Sequence, residues 1–370
     1  MNRRFFVAAL AAATLAPFSS IHPARAQKMP APMPMAKPDP QMKAVLDSLA
    51  SLHPKPIEKL SPAEARKQPG PPDAVKALLK KEGKSAAPEA VGSVKDTMIP
   101  GGDGAMIPVR VYTPSGTGPF PVAVYFHGGG WVISSINGYD SSCRALCNAA
   151  NTVIVSVGYR LAPENKFPAA HEDCYAATQY VMSNAASMGG DPAKVAVVGE
   201  SAGGNLASAV CLMAHDRGGK MPVYEVLVYP VTDTSLAYPS VEENKNAKPL
   251  NKAMLVWFVG HTVKSDADKA NKYLAIIKNP NLSVLPPTTI VLAQIDPLRS
   301  EGEAYAKKLE AAKVPVRMRL YKGVTHEFFG MTAVVDKAKD AVAFAAEGLK
   351  AAFAGGAKRG AAVPAAPATR

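Results

Sequence analysis

The 370-residue sequence is short of cysteine, of long apolar runs and of clustered positive charge, and each shortage removes a class of protein. Its four cysteines, Cys143, Cys147, Cys174 and Cys211, show neither a disulfide-framework spacing nor a Cys-x-x-Cys pair. Buried free thiols are expected, Cys143 and Cys147 on one helix face. No His-x-x-x-His pair occurs among the seven histidines, so no metal is expected, and no cofactor motif is read. The apolar stretch Phe5 to Leu15 is too short for a transmembrane helix, which argues against stable membrane insertion. The formal charge of +12 comes with no arginine-rich run or aromatic-interleaved patch, so no nucleic-acid partner is expected. No internal repeat is visible.

What is present begins with an order of elements. Lys194 to Val198 reads as a short buried strand, and Ala202 to His215 carries apolar residues at helical spacing, Leu206, Val210 and Leu212 among them. Between them stands Gly199-Glu200-Ser201-Ala202-Gly203. A strand that turns at once into a helix through Gly-x-Ser-x-Gly holds its serine in a strained elbow with the hydroxyl raised above the sheet. Ser201 is therefore the candidate nucleophile, against the plainer reading of a serine that caps a helix.

A serine hydroxyl is a poor nucleophile at neutral pH and needs a base, an orienting acid and donors for an oxyanion. Pro121 to Phe126 reads as a buried strand that breaks into His127-Gly128-Gly129-Gly130-Trp131. Unshielded amides of that loop, those of Gly129 and Gly130 foremost and Gly128 beside them, would join the Ala202 amide as an oxyanion hole. The loop lacks the Lys-Ser/Thr of a P-loop and the spacing of a dinucleotide fingerprint. His127 reads as a structural partner of the loop.

The acid is expected to follow the serine and the base to follow the acid. Asp296 stands just past the strand Thr289 to Ala293, at the edge where open α/β sheets collect functional groups. Asp233 and Glu301 compete; Asp233 reads as a turn residue and Glu301 as a favourable charge at a helix start. His326, on a loop after the strand Val316 to Tyr321, is the candidate base. His171, His215 and His261 fall in helical patterns where surface placement is the default.

These residues resemble the hormone-sensitive-lipase-like branch of the α/β hydrolases, the bacterial family IV carboxylesterases. His127 to Trp131 resembles its oxyanion motif and Gly199 to Gly204 its elbow. Tyr159-Arg160-Leu161-Ala162-Pro163-Glu164, with Phe167 to Ala170 and Asp173, is similar to another signature, and Asp296-Pro297-Leu298-Arg299 with Glu301-Gly302 to its acid-bearing segment. The resemblance runs from about residue 95 to about 350. It departs at Glu327, where the family commonly has glycine, and at Ser300, where aspartate is frequent.

The resemblance implies an α/β hydrolase fold: a mostly parallel central sheet flanked by helices, with a helical cap. Residues 1–26 read as a signal peptide, with Arg3-Arg4, an apolar core and Ala24-Arg25-Ala26. Both the general and the twin-arginine routes fit, and either gives a periplasmic or secreted protein. Residues 27–40 read as a disordered spacer and 355–370 as a disordered tail, both rich in Ala and Pro. Residues 41–90 read as N-terminal cap helices, with amphipathic stretches at Met42 to Ala50 and Pro72 to Lys81. Residues 91–354 read as the hydrolase domain, with a cap insertion at about 235–273. The expected activity is hydrolysis of short- to medium-chain carboxylic esters through an acyl-enzyme, the chain length resting on the resemblance alone. An amidase or peptidase, an esterase acting on decorated polysaccharide, and a ligand-binding protein on the same scaffold are the alternatives. The expected partner is a small ester substrate; a homodimer through an edge strand is compatible with the sequence.

Overall fold

The computed structural model describes residues 34–355; the leader at 1–26, most of the spacer and the tail from 356 lie outside them. Runs such as Phe120–Phe126 (β3), Val153–Val157 (β4) and Thr288–Ile295 (β7) combine β-branched and aromatic residues and are buried along nearly their whole length. Such two-sided burial belongs to parallel strands covered by helices on both faces. With Ser93–Pro100 (β1), Met106–Thr113 (β2), Gly190–Glu200 (β5), Glu225–Val228 (β6) and Val316–Thr325 (β8) they form one sheet ordered β1-β2-β4-β3-β5-β6-β7-β8. β2 is antiparallel to β1 and β4; every pairing from β4 to β8 is parallel. The mostly parallel α/β hydrolase sheet anticipated from the sequence is thus the one observed.

Residue alternation divides the core. Val122, Val124 and Phe126 of β3 face one apolar cluster, and Ala123 and Tyr125 face the other. The first cluster is closed by helices Ala169–Asn184 (α5), Ala202–Arg217 (α6) and Arg299–Ala311 (α9), and takes in Leu255 and Phe258 of the inserted helix Lys252–Thr262 (α8). The second is closed by Asp140–Ala150 (α4) and Asp336–Phe353 (α10).

Pro40–Ser51 (α1) and Pro71–Lys81 (α3) correspond to the two amphipathic stretches, and bury Met42, Val45, Leu49 and Leu78 in this second cluster. The segment between them, with the short helix Pro62–Ala65 (α2), crosses toward α8: the Trp257 indole N–H donates to the Leu60 carbonyl at 3.2 Å. The 235–273 excursion contains Pro239–Glu243 (α7) as well as α8. All four cysteines are buried free thiols. Among the described residues no helix is long and apolar enough to cross a membrane.

Candidate active site

β5 ends at Glu200 and α6 begins at Ala202, which leaves Ser201 to make the whole turn. Its backbone sits at φ 57°, ψ −119°, a region costly for any residue with a side chain. The turn is held by its own backbone bonds: Ser201 N–H donates to Val228 (2.9 Å), and its carbonyl accepts from Val231 (3.1 Å) and Asn205 (3.2 Å). The flanking glycines are demanded by close approach. A β-carbon at Gly199 would lie 2.0 Å from the Gly203 carbonyl oxygen, and one at Gly203 would lie 1.9 Å from that of Phe126.

Asp296 and His326 immediately follow β7 and β8, so the parallel register delivers both beside the elbow. His326 Nδ1 lies 2.7 Å from Asp296 Oδ2 and Nε2 lies 2.9 Å from Ser201 Oγ. A carboxylate only accepts, so Nδ1 carries the proton and Nε2 accepts from the serine hydroxyl. Asp296 Oδ1 is used by the Leu298 amide at 2.8 Å, which fixes the carboxyl plane. Burial works against the charged form of His326. The Asp296 charge and hydrogen bond, together with the charges of Glu327 and Glu200, outweigh it, and the histidine titrates above its ordinary value.

The inserted α7 grips the acid loop. Ser240 and Ser300 exchange hydrogen bonds, Ser300 N–H to Ser240 Oγ at 2.9 Å and Ser240 N–H to Ser300 Oγ at 3.2 Å. Ser240 Oγ also donates to the Pro297 carbonyl, and Asn244 Nδ2 to that of Asp296. The departure from aspartate at position 300 therefore leaves the acid anchored by another route.

The glycine loop after β3 is shaped by what its carbonyls do. His127 O accepts from the Tyr159 hydroxyl (2.7 Å), Gly128 O from His127 Nδ1 (2.7 Å), and Gly129 O from the amides of Val132 (3.1 Å) and Ile133 (2.9 Å). In a planar trans peptide the N–H points opposite the carbonyl, so tying these oxygens turns the amides of Gly128, Gly129 and Gly130 the other way. Among the described residues none of these amides, nor that of Ala202, donates to another backbone group in the loops. The His127 ring stacks on Tyr159 at 4.2 Å, and burial lowers its pKa to about 4, so it serves the loop as a neutral donor. The structure thus brings Ser201, Asp296, His326, the Gly128 to Gly130 loop and Ala202 together, and leaves Asp233 and Glu301 apart from the histidine. Ser201, His326 and Asp296 are 6%, 2% and 0% exposed, a nearly dry setting for proton transfer and for stabilising a developing negative charge.

Other residues that stand out in the sequence have structural work. Arg160 pairs with the buried Asp173, which also accepts from the Gly102 amide at 2.9 Å, so that signature is a brace between the β1–β2 connection and α5. Asp233 sits in a turn and pairs with Lys278 at 2.8 Å. Two expectations are corrected. His171 is buried, not at the surface, because it points across α5 to Asn205 Oδ1 of α6 at 3.1 Å, and burial takes its pKa to about 4. Glu301 stands in the first turn of α9 as expected, but not as a charge: its carboxyl turns inward, accepts from the Thr232 amide at 2.6 Å, and burial raises its pKa to about 8.

Sequence patterns give no sign of the role of Glu200, which accepts hydrogen bonds from Tyr125 and Tyr229 beneath the histidine. The ring of Tyr229 packs tilted against that of His326, centroids 4.4 Å apart and planes at 48°. No local pattern signals this network, since its members arrive from three strands. A cavity of about 550 Å³ opens behind the glycine loop, between β2 and Tyr159, and its walls include none of Ser201, Asp296 or His326. Among the described residues no cluster of three or more His, Cys, Asp or Glu side chains is placed to hold a metal ion.

Residues 123–330 match the family model described as alpha/beta hydrolase fold. The chain is 41% identical over 250 residues to the carboxylic ester hydrolase LipN of Mycobacterium tuberculosis, a match covering 66% of this chain and 66% of that protein. It is 40% identical over 252 residues to the carboxylesterase NlhH of the same species, covering 67% of this chain and 79% of that protein. Among solved structures, the hyperthermophilic esterase of the archaeon Pyrobaculum calidifontis superposes with a TM-score of 0.76 at 34% identity, over 86% of this chain and 99% of that one.

Proposed function

The chain belongs to the α/β hydrolase family, in its hormone-sensitive-lipase-like branch, and from that membership we propose that it is a serine esterase that cleaves small carboxylic esters. The observation that carries the reading is the continuous hydrogen-bond line Ser201, His326, Asp296, set beside a glycine loop whose carbonyls are tied elsewhere and whose amides make no backbone bond among the described residues. His326 takes the serine proton as Oγ attacks the ester carbonyl, while Asp296 holds the ring and offsets its new charge. The oxyanion is received by the amides of Gly129, Gly130 and Ala202, with Gly128 beside them. The alcohol leaves with the proton from Nε2. A water then gives its proton to the same nitrogen, attacks the acyl-enzyme, and the acid departs with Ser201 restored. The near-closed serine, 6% exposed, and the ring of Phe258 from α8 pressed against Gly130 support a preference for short to medium acyl groups.

Ser201→Ala is expected to abolish turnover of p-nitrophenyl butyrate while the circular dichroism spectrum and melting temperature stay close to those of the parent. A folded variant that still turns over the ester overturns the reading. The order of charge, apolar core and small residues in 1–26 supports export to the periplasm or medium. Cell fractionation with N-terminal sequencing of the mature protein tests that.

A further inference from the structure

Glu327 follows His326 with its backbone in the left-handed region at φ 68°, where a side chain is disfavoured, and such strain collects at functional positions. Its Oε1 lies 3.7 Å from His326 Nε2, the nitrogen that also faces Ser201 Oγ. The carboxyl is held there by the Tyr139 hydroxyl, which donates to Oε1 at 2.7 Å. That hydroxyl is itself at the serine: a β-carbon placed on Gly128 would be 2.3 Å from it and 3.1 Å from Ser201 Cβ. Among the described residues Oε2 makes no hydrogen bond. The Glu327 side chain is 20% exposed beside a histidine at 2%, so of the acidic groups around the ring it is the one that reaches the open side.

Burial raises the carboxyl of Glu327, and His326 and the Tyr139 hydrogen bond work against that rise. Glu200, fully buried under Tyr125 and Tyr229, is pushed up to about 7 by burial and then by the charge of Glu327. Asp296 is engaged on the far edge of the ring. In the esterase reaction the leaving oxygen must come within hydrogen-bond reach of Nε2 to receive its proton. The substituents of the alcohol therefore pass close to Glu327, whereas the acyl chain lies on the other side of the scissile bond.

We propose that Glu327 is a specificity-determining residue whose carboxylate reads the alcohol part of the ester and favours alcohols carrying a positive charge over neutral ones of the same shape. The proposal rests on the serine-esterase reading and names its substrate class more narrowly. A charge fixed beside the leaving group acts on the transition state as strongly as on the bound substrate, so it appears in kcat/KM.

The test compares acetylcholine with 3,3-dimethylbutyl acetate, its uncharged isostere, at mildly alkaline pH. The full chain, Glu327→Gln and Glu327→Gly are each assayed. Glutamine keeps an acceptor for Tyr139, and glycine suits the left-handed backbone, so at least one variant folds. The parent is expected to favour the cationic ester by about tenfold in kcat/KM, and both variants to bring the ratio near one, whatever their absolute rates. No preference in the parent, or a preference unchanged by substitution, overturns the proposal. A parent that hydrolyses neither ester nor p-nitrophenyl acetate instead overturns the esterase reading, and this one with it.

Discussion

The ring of Phe258, on α8, lies directly over Gly130: a β-carbon on that glycine would fall 2.2 Å from the ring's Cγ. Thr262, one turn further along α8, donates to the Gly130 carbonyl at 3.3 Å. The inserted helix thus presses on the glycine loop after β3. Gly130→Ala is expected to lose nearly all activity and to melt well below the parent, since it meets both the ring and a φ of 58°. Phe258→Ala alone is expected to cost about 3–5 kcal/mol. The double variant should be less destabilised than the two single losses combined, because the second substitution removes the clash created by the first. Thermal melts of the four proteins check this; strict additivity would mean that the ring and the loop do not compete for space.

Asp296→Asn keeps the shape of the side chain but offers Nδ1 no carboxylate to hold its proton. The histidine then loses the tautomer that leaves Nε2 free to accept from Ser201. Turnover is expected to fall about 10⁴-fold with little change in fold. Steady-state kinetics and circular dichroism on the same preparation measure it.

The base must be neutral to work, and His326 is held above the ordinary histidine value of 6.5. Activity is therefore present at higher pH and lost as pH falls through the raised value. The acid limb of kcat/KM against pH is expected above 6.5 for a neutral ester. A limb well below that would show burial winning over Asp296.

Two carboxyls remote from the chemistry govern stability instead. Burial raises Glu301 to about 8 and Glu225 to about 7 from 4.5. The folded chain then holds protons that the unfolded chain has released, so stability is fully present below 4.5 and declines as pH rises through the folded values. Glu301→Gln keeps the acceptor for Thr232 and cannot ionise. Its melting temperature is expected to fall less between mildly acidic and mildly alkaline pH than that of the parent, by linkage of about 1.4 kcal/mol per pH unit for one proton. Parallel curves for the two proteins would contradict the assignment.

What the sequence made legible follows from how the functional groups are carried. Ser201, Asp296 and His326 each stand at the C-terminal end of a parallel strand, and strands with their turns leave local patterns in the chain. The glycine loop is legible for the same reason. The side chains behind them are not, because their partners are distant in sequence: Glu200 meets Tyr125 across 75 residues and Tyr139 meets Glu327 across 188. The surface default for a helical histidine fails at His171 because α6 closes in its helix on that side. Glu301 satisfies a helix-terminus rule while its carboxyl turns to a backbone amide in the next layer, a choice that depends on tertiary packing.

The segment between α1 and α3 is fastened at two places, by Trp257 to the Leu60 carbonyl and by Arg66, which reaches the carbonyls of Val132 and Ala162 and both oxygens of Glu164. The segment thus ties together the inserted helix and the chain on either side of the glycine loop, pieces far apart in the gene, none of which belongs to the strand ends that hold Ser201, Asp296 and His326. Inheritance can revise those pieces one at a time, by insertion or exchange, and alter what is admitted while the reacting groups keep their places.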